Sequence, residues 1–382
     1  MPIDFRRSWS DEDLELYRDN VVRFIETEMV PHDEEARKAG HVGHAIWRKA
    51  GEIGLICADI PEEYGGGGGD FRHEAVFYEE AARRGLSGMA TSVHAIVAHY
   101  FLNHGTEAQK REYLPRMARG ELVGAIAMTE PGAGSDLQGV RTRAERDGDS
   151  YVINGSKTFI TNGFLAGVVL VVAKTDPKQG AKGTSILIVE TEGCKGYRVG
   201  RVLDKIGMKA QDTSELFFDD VRVPAANLLG GQEGQGFFQL MSDLPYERTI
   251  IGVSALATME GAYEATLDYV RDRKAFGQPI ANFQNTKFKL AEIATQIKVG
   301  RAFIDRCVED LVAGKLDTAT ASMAKLWGSE TQGRVVDECL QLFGGYGFMN
   351  EYMVARMYAD SRVQRIYGGT NEIMKEVISR AL

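Results

Sequence analysis

Cysteine is scarce: Cys57, Cys194, Cys307 and Cys339 are the four in 382 residues, far apart and in no paired motif. That spacing excludes a disulfide framework and a thiolate zinc site, and reads as packing cysteines in a reducing compartment. All seven histidines (positions 32, 41, 44, 73, 94, 99 and 104) fall in the first third, so neither residue type offers metal-ligand spacing and no metal is expected. A proton acceptor drawn from the C-terminal two-thirds therefore has to be something other than histidine. No apolar run approaches the length of a membrane span. Positive charge is not in excess. The 45 Lys and Arg against 54 Asp and Glu leave a net charge of −9, which disfavours nonspecific binding to nucleic acid or to an anionic membrane. Residues 1–10 lack the apolar core of a signal peptide and are too few for a transit peptide. The expected location is the bacterial cytoplasm, with a processed mitochondrial matrix chain as the alternative.

What is present divides the chain into three parts, and a hydrophobic content of 44% can fill two or three cores. Residues 1–122 read as a helical domain. Ser10 ahead of Asp13 resembles an N-cap, Leu14, Tyr17, Val21, Phe24 and Ile25 recur at helical spacing, and Pro31 ends that segment. A second short helix is expected over 47–55. The five glycines at 65–69 are expected to form a flexible loop; they stand at no strand-to-helix junction, so no phosphate role follows. Residues 123–235 change to strand period. Asn154-Gly155 between 151–153 and 158–161 predicts a hairpin, with further strands at 168–173, 185–189 and 215–223, which together suggest a compact antiparallel barrel or sandwich. Residues 236–382 return to helical period over 249–272, 287–313, 317–343 and 351–365, the pattern of a four-helix bundle. Pro245 either opens or kinks the first of these helices.

Two strings carry chemistry. Residues 127–139, Ala-Met-Thr-Glu-Pro-Gly-Ala-Gly-Ser-Asp-Leu-Gln-Gly, end a run of small apolar residues in a turn that exposes backbone N–H groups and the Ser135 hydroxyl. Glycines there let main chain approach a ligand, and successive amides can cradle a phosphate or the polar edge of a ring. The second string sets Gln341, Gly344, Gly345, Gly347, Phe348, Glu351, Arg356 and Asp360 at fixed spacing. Together they resemble the acyl-CoA dehydrogenases, from the Trp9–Pro31 region to the last helix. Tyr367-Gly368-Gly369-Thr370-Asn371-Glu372 and Pro245-Tyr246-Glu247-Arg248 are most similar to the long-chain branch. The resemblance implies a helical domain, a central antiparallel β-barrel and a C-terminal four-helix bundle. It implies FAD-dependent α,β-dehydrogenation of an acyl-CoA of medium, long or branched chain to the trans-2-enoyl-CoA. Electrons would pass to electron-transfer flavoprotein, and the chain would assemble as a dimer of dimers.

In that reaction a carboxylate takes the α-proton and the N5 atom of FAD takes the β-hydride. Many relatives place the carboxylate in a Tyr-Glu-Gly-Thr string, where this chain has Tyr367-Gly368-Gly369-Thr370, and Gly368 cannot act as a base. The long-chain and isovaleryl branches instead carry it on the first helix of the bundle, which implies Glu247. By spacing alone a Glu-Arg pair at a helix start is a solvated pair favoured by the helix dipole. Gly368 leaves room near the reacting carbons, and Gly368 and Gly369 also suit positive φ ahead of the last helix.

The resemblance assigns Ile126, Met128, Thr129, Gly134 and Ser135 to the flavin, with Ser135 also facing substrate. Phe159, Ile160 and Thr161 would lie along the ring, Phe159 standing where many relatives have Trp. Arg273, Phe276, Gln284, Gln341, Gly344 and Gly345 would hold the pyrophosphate and adenine, partly across a dimer interface, and Thr370 and Glu372 would complete the contacts. Phe238 and Arg248 would line the pantetheine channel with Gly183 and Thr184 at its mouth, and Tyr246 and Gly369 would also meet substrate. Lys287, Lys289 and Lys298 either attract CoA phosphates or form a solvated helix face. Two other functions share these motifs: a flavin oxidase or monooxygenase of the same fold, and a non-catalytic acyl-CoA-binding module.

Overall fold

The computed structural model describes residues 5–382; residues 1–4, part of the opening segment read for targeting signals, lie outside them. Six helices come first: α1 Glu12–Phe24, α2 Asp33–Ala39, α3 His44–Glu52, α4 Phe71–Arg83, α5 Thr91–His104 and α6 Glu107–Ala118. The cap of α1 is Asp11, not Ser10, because its carboxylate sits one residue closer and accepts the Leu14 N–H at 2.9 Å. The glycine run at 65–69 is not a free loop. Gly67, Gly68 and Gly69 donate backbone hydrogen bonds to Cys57, Ile60 and Ala58, and a Cβ on Gly66 would collide with the Ile60 carbonyl. Glycine is required there because two backbone segments touch.

Seven strands follow: β1 Gly124–Ala127, β2 Arg143–Asp147, β3 Ser150–Thr161, β4 Val168–Lys174, β5 Thr184–Glu190, β6 Tyr197–Val202 and β7 Thr213–Pro224. They form one curled sheet in the order β1-β4-β2-β3-β7-β6, with β5 on the other side of β4. Most pairs are antiparallel as expected, but β1 runs parallel to β4, Gly124 facing Val168 and Ala127 facing Val171. The expected hairpin at Asn154-Gly155 is absent. β3 continues through it as a bulge against β7, where Asn154 Nδ2 donates to Asp220 Oδ1 and the Asp220 N–H donates back to Asn154 Oδ1, each at 2.9 Å, and the true turn is Gly148-Asp149 between β2 and β3. A bulge absorbs the extra residue and the positive-side φ without reversing the chain. β4 reads as an unbroken apolar run because both faces are covered. Val168, Leu170 and Val172 pack under α5 and α6, while Val169, Val171 and Ala173 face the interior of the curl.

The last part holds α7 Gly236–Ser242, α8 Leu244–Asp272, α9 Gln284–Val312, α10 Thr318–Phe343, α11 Met353–Ser361 and α12 Asn371–Ser379. Pro245 stands in the first turn of α8 and opens it, where its missing N–H costs nothing. The helix expected to 365 ends at Ser361 and passes into a tighter turn over Arg362–Arg365. The largest core joins α1 and α4 of the first part to α8, α9, α10 and α11 of the last, so the two helical regions share one interior, with the sheet set against α5 and α6. No helix among the described residues is long and apolar enough to cross a membrane.

Candidate functional site

Glu247 lies in the first turn of α8 and is buried. Its Oε1 accepts a hydrogen bond from the Tyr100 hydroxyl of α5 at 3.2 Å, across 147 residues of sequence. Burial pushes its pKa up, and the charge of Asp243 one turn earlier adds to the rise; Tyr100 and Arg248 oppose it, and the result is about 7. Asp243 is itself clamped, Oδ1 by Asn103 at 2.8 Å and Oδ2 by His104 at 3.0 Å. The site therefore holds a desolvated carboxyl group that ionises near neutrality, oriented by one phenol.

Position 368 converges on the same place. A Cβ on Gly368 would meet Ile251 Cδ1 at 2.6 Å, and Ile251 follows Glu247 by one turn of α8. Gly368 has φ +61° and Gly369 φ +85°, so both the close approach of neighbouring side chains and the backbone favour glycine. Buried Lys325 of α10 ties this loop down, its Nζ donating to the Gly369 carbonyl at 2.8 Å and to Asn371 Oδ1 at 2.7 Å. Thr370 caps α12, its Oγ1 accepting the Ile373 N–H at 3.3 Å, and Glu372 is exposed in the first turn.

Other residues assigned to substrate sit at different depths. The Tyr246 hydroxyl is spent on Asp59 Oδ2 at 2.9 Å, and its ring packs at a tilt against His99 with centroids 4.1 Å apart, which pins α8 to the first domain. Arg248 is buried and turns to α10, donating to Ser322 Oγ at 2.8 Å, while its Nε lacks a partner. Phe238 is 66% exposed on α7. Gly183 and Thr184 are buried where β5 begins, and α7 passes so close that a Cβ on Gly236 would meet the Thr184 carbonyl and Ser185 Cα at 2.9 Å. The structure thus brings Phe238, Gly183 and Thr184 to one corner.

The glycine turn after β1 is pinned by Glu130. Its carboxylate accepts from the Arg141 N–H at 2.7 Å, the Thr142 N–H at 2.9 Å and Lys157 Nζ at 2.9 Å. Beyond that anchor the turn stands open: Gly132, Gly134 and Ser135 are exposed, and a Cβ on either glycine would meet nothing within 4 Å. The Thr158 N–H donates to the Thr129 carbonyl at 2.9 Å, which sets the Thr129 turn beside Phe159. Phe159 has φ +59° and its ring is 66% exposed, while Ile126, Met128, Thr129 and Thr161 are half-buried and Ile160 is buried. An exposed phenyl plane held at a costly φ next to an open amide-rich turn fits the apolar face and polar edge of an isoalloxazine.

A cavity of about 520 Å³ lies between α8 and the end of α10. Arg273, Gln341, Gly344 and Gly345 line it together, and the Arg273 guanidinium lies 5.7 Å from the centroid of the Tyr346 ring. A Cβ on Gly344 or Gly345 would meet nothing within 4 Å, so the backbone there can take a ligand closely. Phe276 (95% exposed) and Gln284 at the start of α9 are exposed and outside this lining. Both surfaces suit parts of FAD.

Sequence reasoning missed Tyr100, Asp243, Lys157 and Lys325. Only Asp243 carried a signal, a second carboxylate one helical turn before Glu247; the others act across long separations that no local pattern encodes.

Comparison with known proteins identifies the family and the fold. Three family models match in order: acyl-CoA dehydrogenase N-terminal domain over residues 11–121, middle domain over 125–221 and C-terminal domain over 234–382. The chain is 50% identical to the mitochondrial long-chain specific acyl-CoA dehydrogenase of Sus scrofa, across 100% of this chain and 88% of that one. The solved acyl-CoA dehydrogenase from Geobacillus kaustophilus superposes with a TM-score of 0.95 at 44% identity, covering 98% of this chain and 99% of that one. A glutaryl-CoA dehydrogenase from Mycobacterium smegmatis, solved in complex with FADH2, gives a TM-score of 0.90 at 30% identity, covering 97% and 95%. Shared architecture from end to end, at this level of identity, leaves one conclusion: the chain belongs to the acyl-CoA dehydrogenase family of oxidoreductases.

Proposed function

We propose that this protein desaturates an acyl-CoA thioester of medium, long or branched chain to the trans-2-enoyl-CoA, with FAD as cofactor and electron-transfer flavoprotein as acceptor, and that it acts as a dimer of dimers. The observation that carries this reading is the buried Glu247 carboxyl, held by the Tyr100 hydroxyl, its pKa raised to about 7, and one helical turn before the Ile251 side chain that packs against Gly368. Glu247 accepts the α-proton of the thioester, and Tyr100 fixes which oxygen points at it. What FAD supplies when bound is the acceptor for the hydride of the β carbon. Phe159 and the 129–135 turn hold the ring plane, and Arg273, Gln341, Gly344 and Gly345 hold the nucleotide end. The exposed Phe276 and Phe348 (82% exposed) are apolar surface that assembly would cover.

Anaerobic titration of the yellow protein with acyl-CoAs of graded length and branching tests the reading. Loss of the oxidised flavin band is expected, and no bleaching by any thioester would refute it. Oxygen uptake during turnover would move the assignment to an oxidase of the same fold.

The pH dependence follows from Glu247. Its carboxyl must be ionised to take the proton, so the rate of flavin reduction should rise with pH through about 7. Asp243→Asn keeps the amide in reach of Asn103 and His104 but removes a like charge. The midpoint of that rise should move toward the ordinary carboxylate range. An unmoved midpoint in stopped-flow profiles would exclude Asp243 as the source.

Acyl length follows from α8. Glu247, Ile251, Ser254 and Thr258 share one face at 3.6 residues per turn. Ser254 and Thr258 line an inner cavity of about 110 Å³ with Ala81, Gly85, Met89 and Met357. Ser254→Leu should fill that space and lower kcat/KM for long acyl chains by about tenfold relative to short ones, since a misfitted chain end costs on the order of 1–3 kcal/mol. An equal loss for short and long chains would show that the acyl tail lies elsewhere.

A further inference from the structure

The sequence singles out lysines of α9 as candidates for phosphate, but in the structure Lys289 is bound to Glu338 Oε1 at 2.6 Å. Uncommitted positive charge gathers at another place. A cavity of about 440 Å³ opens where β2 and β4 end, lined by Gln138, Arg141, Arg143, Lys174, Pro177 and Gly180 among others. Register puts its cations at one edge of the sheet: Arg143 pairs with Lys174, and Lys174 pairs with Thr184 on its other side. Adjacent strands lie about 4.8 Å apart, so these three side chains form a row about 10 Å long. The row runs from the foot of the Ser135 turn to the corner where Thr184 meets α7 and Phe238.

The carboxylates around this cavity are already engaged. Glu130 is held by Lys157 and by the N–H groups of Arg141 and Thr142. Asp136 accepts the Gln138 N–H at 3.1 Å, and Asp176 accepts from the Lys178 N–H at 2.9 Å and from Gln179 Nε2 at 2.7 Å. Lys174 donates to the Gly180 carbonyl at 2.6 Å and to Thr184 Oγ1 at 2.9 Å, which aims its ammonium along the cavity wall. Arg141 and Arg143 are exposed, and their guanidinium groups have no ion-pair partner among the described residues. Two free guanidiniums and a fixed ammonium in one concave site suit a ligand with several phosphate charges, because each planar fork can grip two oxygens at once.

We propose that Arg141, Arg143 and Lys174 form the subsite for the phosphorylated nucleotide end of the CoA thioester. This rests on the proposed function, which places the acyl end beside Glu247, and on the pantetheine channel that the family resemblance implies at Phe238, Gly183 and Thr184. Lys174, which lines the cavity, donates to Thr184 Oγ1 at 2.9 Å, so the polyanionic end of a substrate passing that corner comes within reach of the row of cations. Binding there is a matter of affinity and capture, separate from the proton transfer at Glu247.

The test compares two thioesters of one acyl group, the CoA ester and the pantetheine ester, which lacks the nucleotide and its phosphates. In the double variant Arg141→Gln/Arg143→Gln, the ratio of kcat/KM for the CoA ester to that for the pantetheine ester should fall about tenfold. The salt dependence of KM for the CoA ester should weaken with it. A ratio equal to that of the unaltered protein overturns the subsite, whether both esters are unaffected or both decline together. Calorimetric titration with adenosine 3′,5′-bisphosphate and with inorganic phosphate reads the site without turnover. The bisphosphate should bind the unaltered protein and lose affinity in the variant by a similar factor, and equal binding to both proteins overturns the proposal. Tight binding of inorganic phosphate alone would mark a free-phosphate site and overturn it also. Should neither ester reduce the flavin while the bisphosphate binds and the variant loses it, the dehydrogenase reading fails and the subsite stands.

Discussion

Glu247→Gln should retain flavin yet lose substrate-driven bleaching, with the rate of flavin reduction down by about 10³-fold, within the range that general-base catalysis supplies. Glutamine keeps the volume and can still accept the Tyr100 hydrogen bond through its carbonyl oxygen, so the fold around α8 has no reason to move. What it cannot do is take a proton. The same change removes an acid whose pKa burial raises, so the sign of its stability effect is also set. A raised carboxyl pKa stabilises the fold below the ordinary carboxylate range, and that contribution is lost as pH rises through about 7. The glutamine variant should therefore be relatively more stable than the parent at alkaline pH. Unchanged bleaching kinetics in Glu247→Gln would remove this residue from the chemistry.

The second large effect concerns Arg301, whose side chain is 3% exposed in the interior shared by the two helical regions. Its guanidinium donates to Glu79 of α4 at 2.6 Å, to Glu260 of α8 at 2.6 Å and to Asp305 of α9 at 3.0 Å. Burial alone would raise the Glu79 pKa, but Arg301 and then Arg7 outweigh it and hold the carboxyl below its ordinary range. Arg301→Met keeps an unbranched apolar stem and leaves three carboxylates short of a partner, with Arg7 still on Glu79 and Arg83 still on Glu260. Removing one partner of a buried ion pair costs about 3–5 kcal/mol. Denaturant midpoints should show a loss of that size near neutral pH, shrinking as pH falls because the orphaned carboxylates take up protons. A loss below 1 kcal/mol would mean that water reaches the cluster and screens it. Adding Glu260→Gln should recover part of the stability, since one uncompensated charge is then gone.

Periodicity made much of the architecture legible. The helical faces of α1, α8, α9 and α10 follow from apolar spacing, and the apolar run of β4 follows from cover on both faces. Local pattern misled where a local rule met a tertiary contact. Asn154-Gly155 has the composition of a hairpin turn, yet cross-strand pairing with β7 extends the strand through it as a bulge. The glycines at 65–69 have the composition of a tether, yet they are there because backbone meets backbone. The proposed base was legible only as an absence at Gly368 set against a match at Glu247. The residues that tune and orient it were hidden, since Tyr100 and His104 lie on α5 and reach α8 only after folding.

By itself the amino-acid order determined which segments are helix or strand, the glycines at which main chain stands open, and the carboxyl group proposed as the proton acceptor. Only the tertiary structure decided that this carboxyl group is dry, that Gly368 packs against Ile251 one turn beyond it, and that Arg143, Lys174 and Thr184 stand in a row. The reason is physical. Side-chain periodicity depends on neighbours a few residues apart, whereas desolvation, pKa and concave charge depend on what the fold brings in from far along the chain.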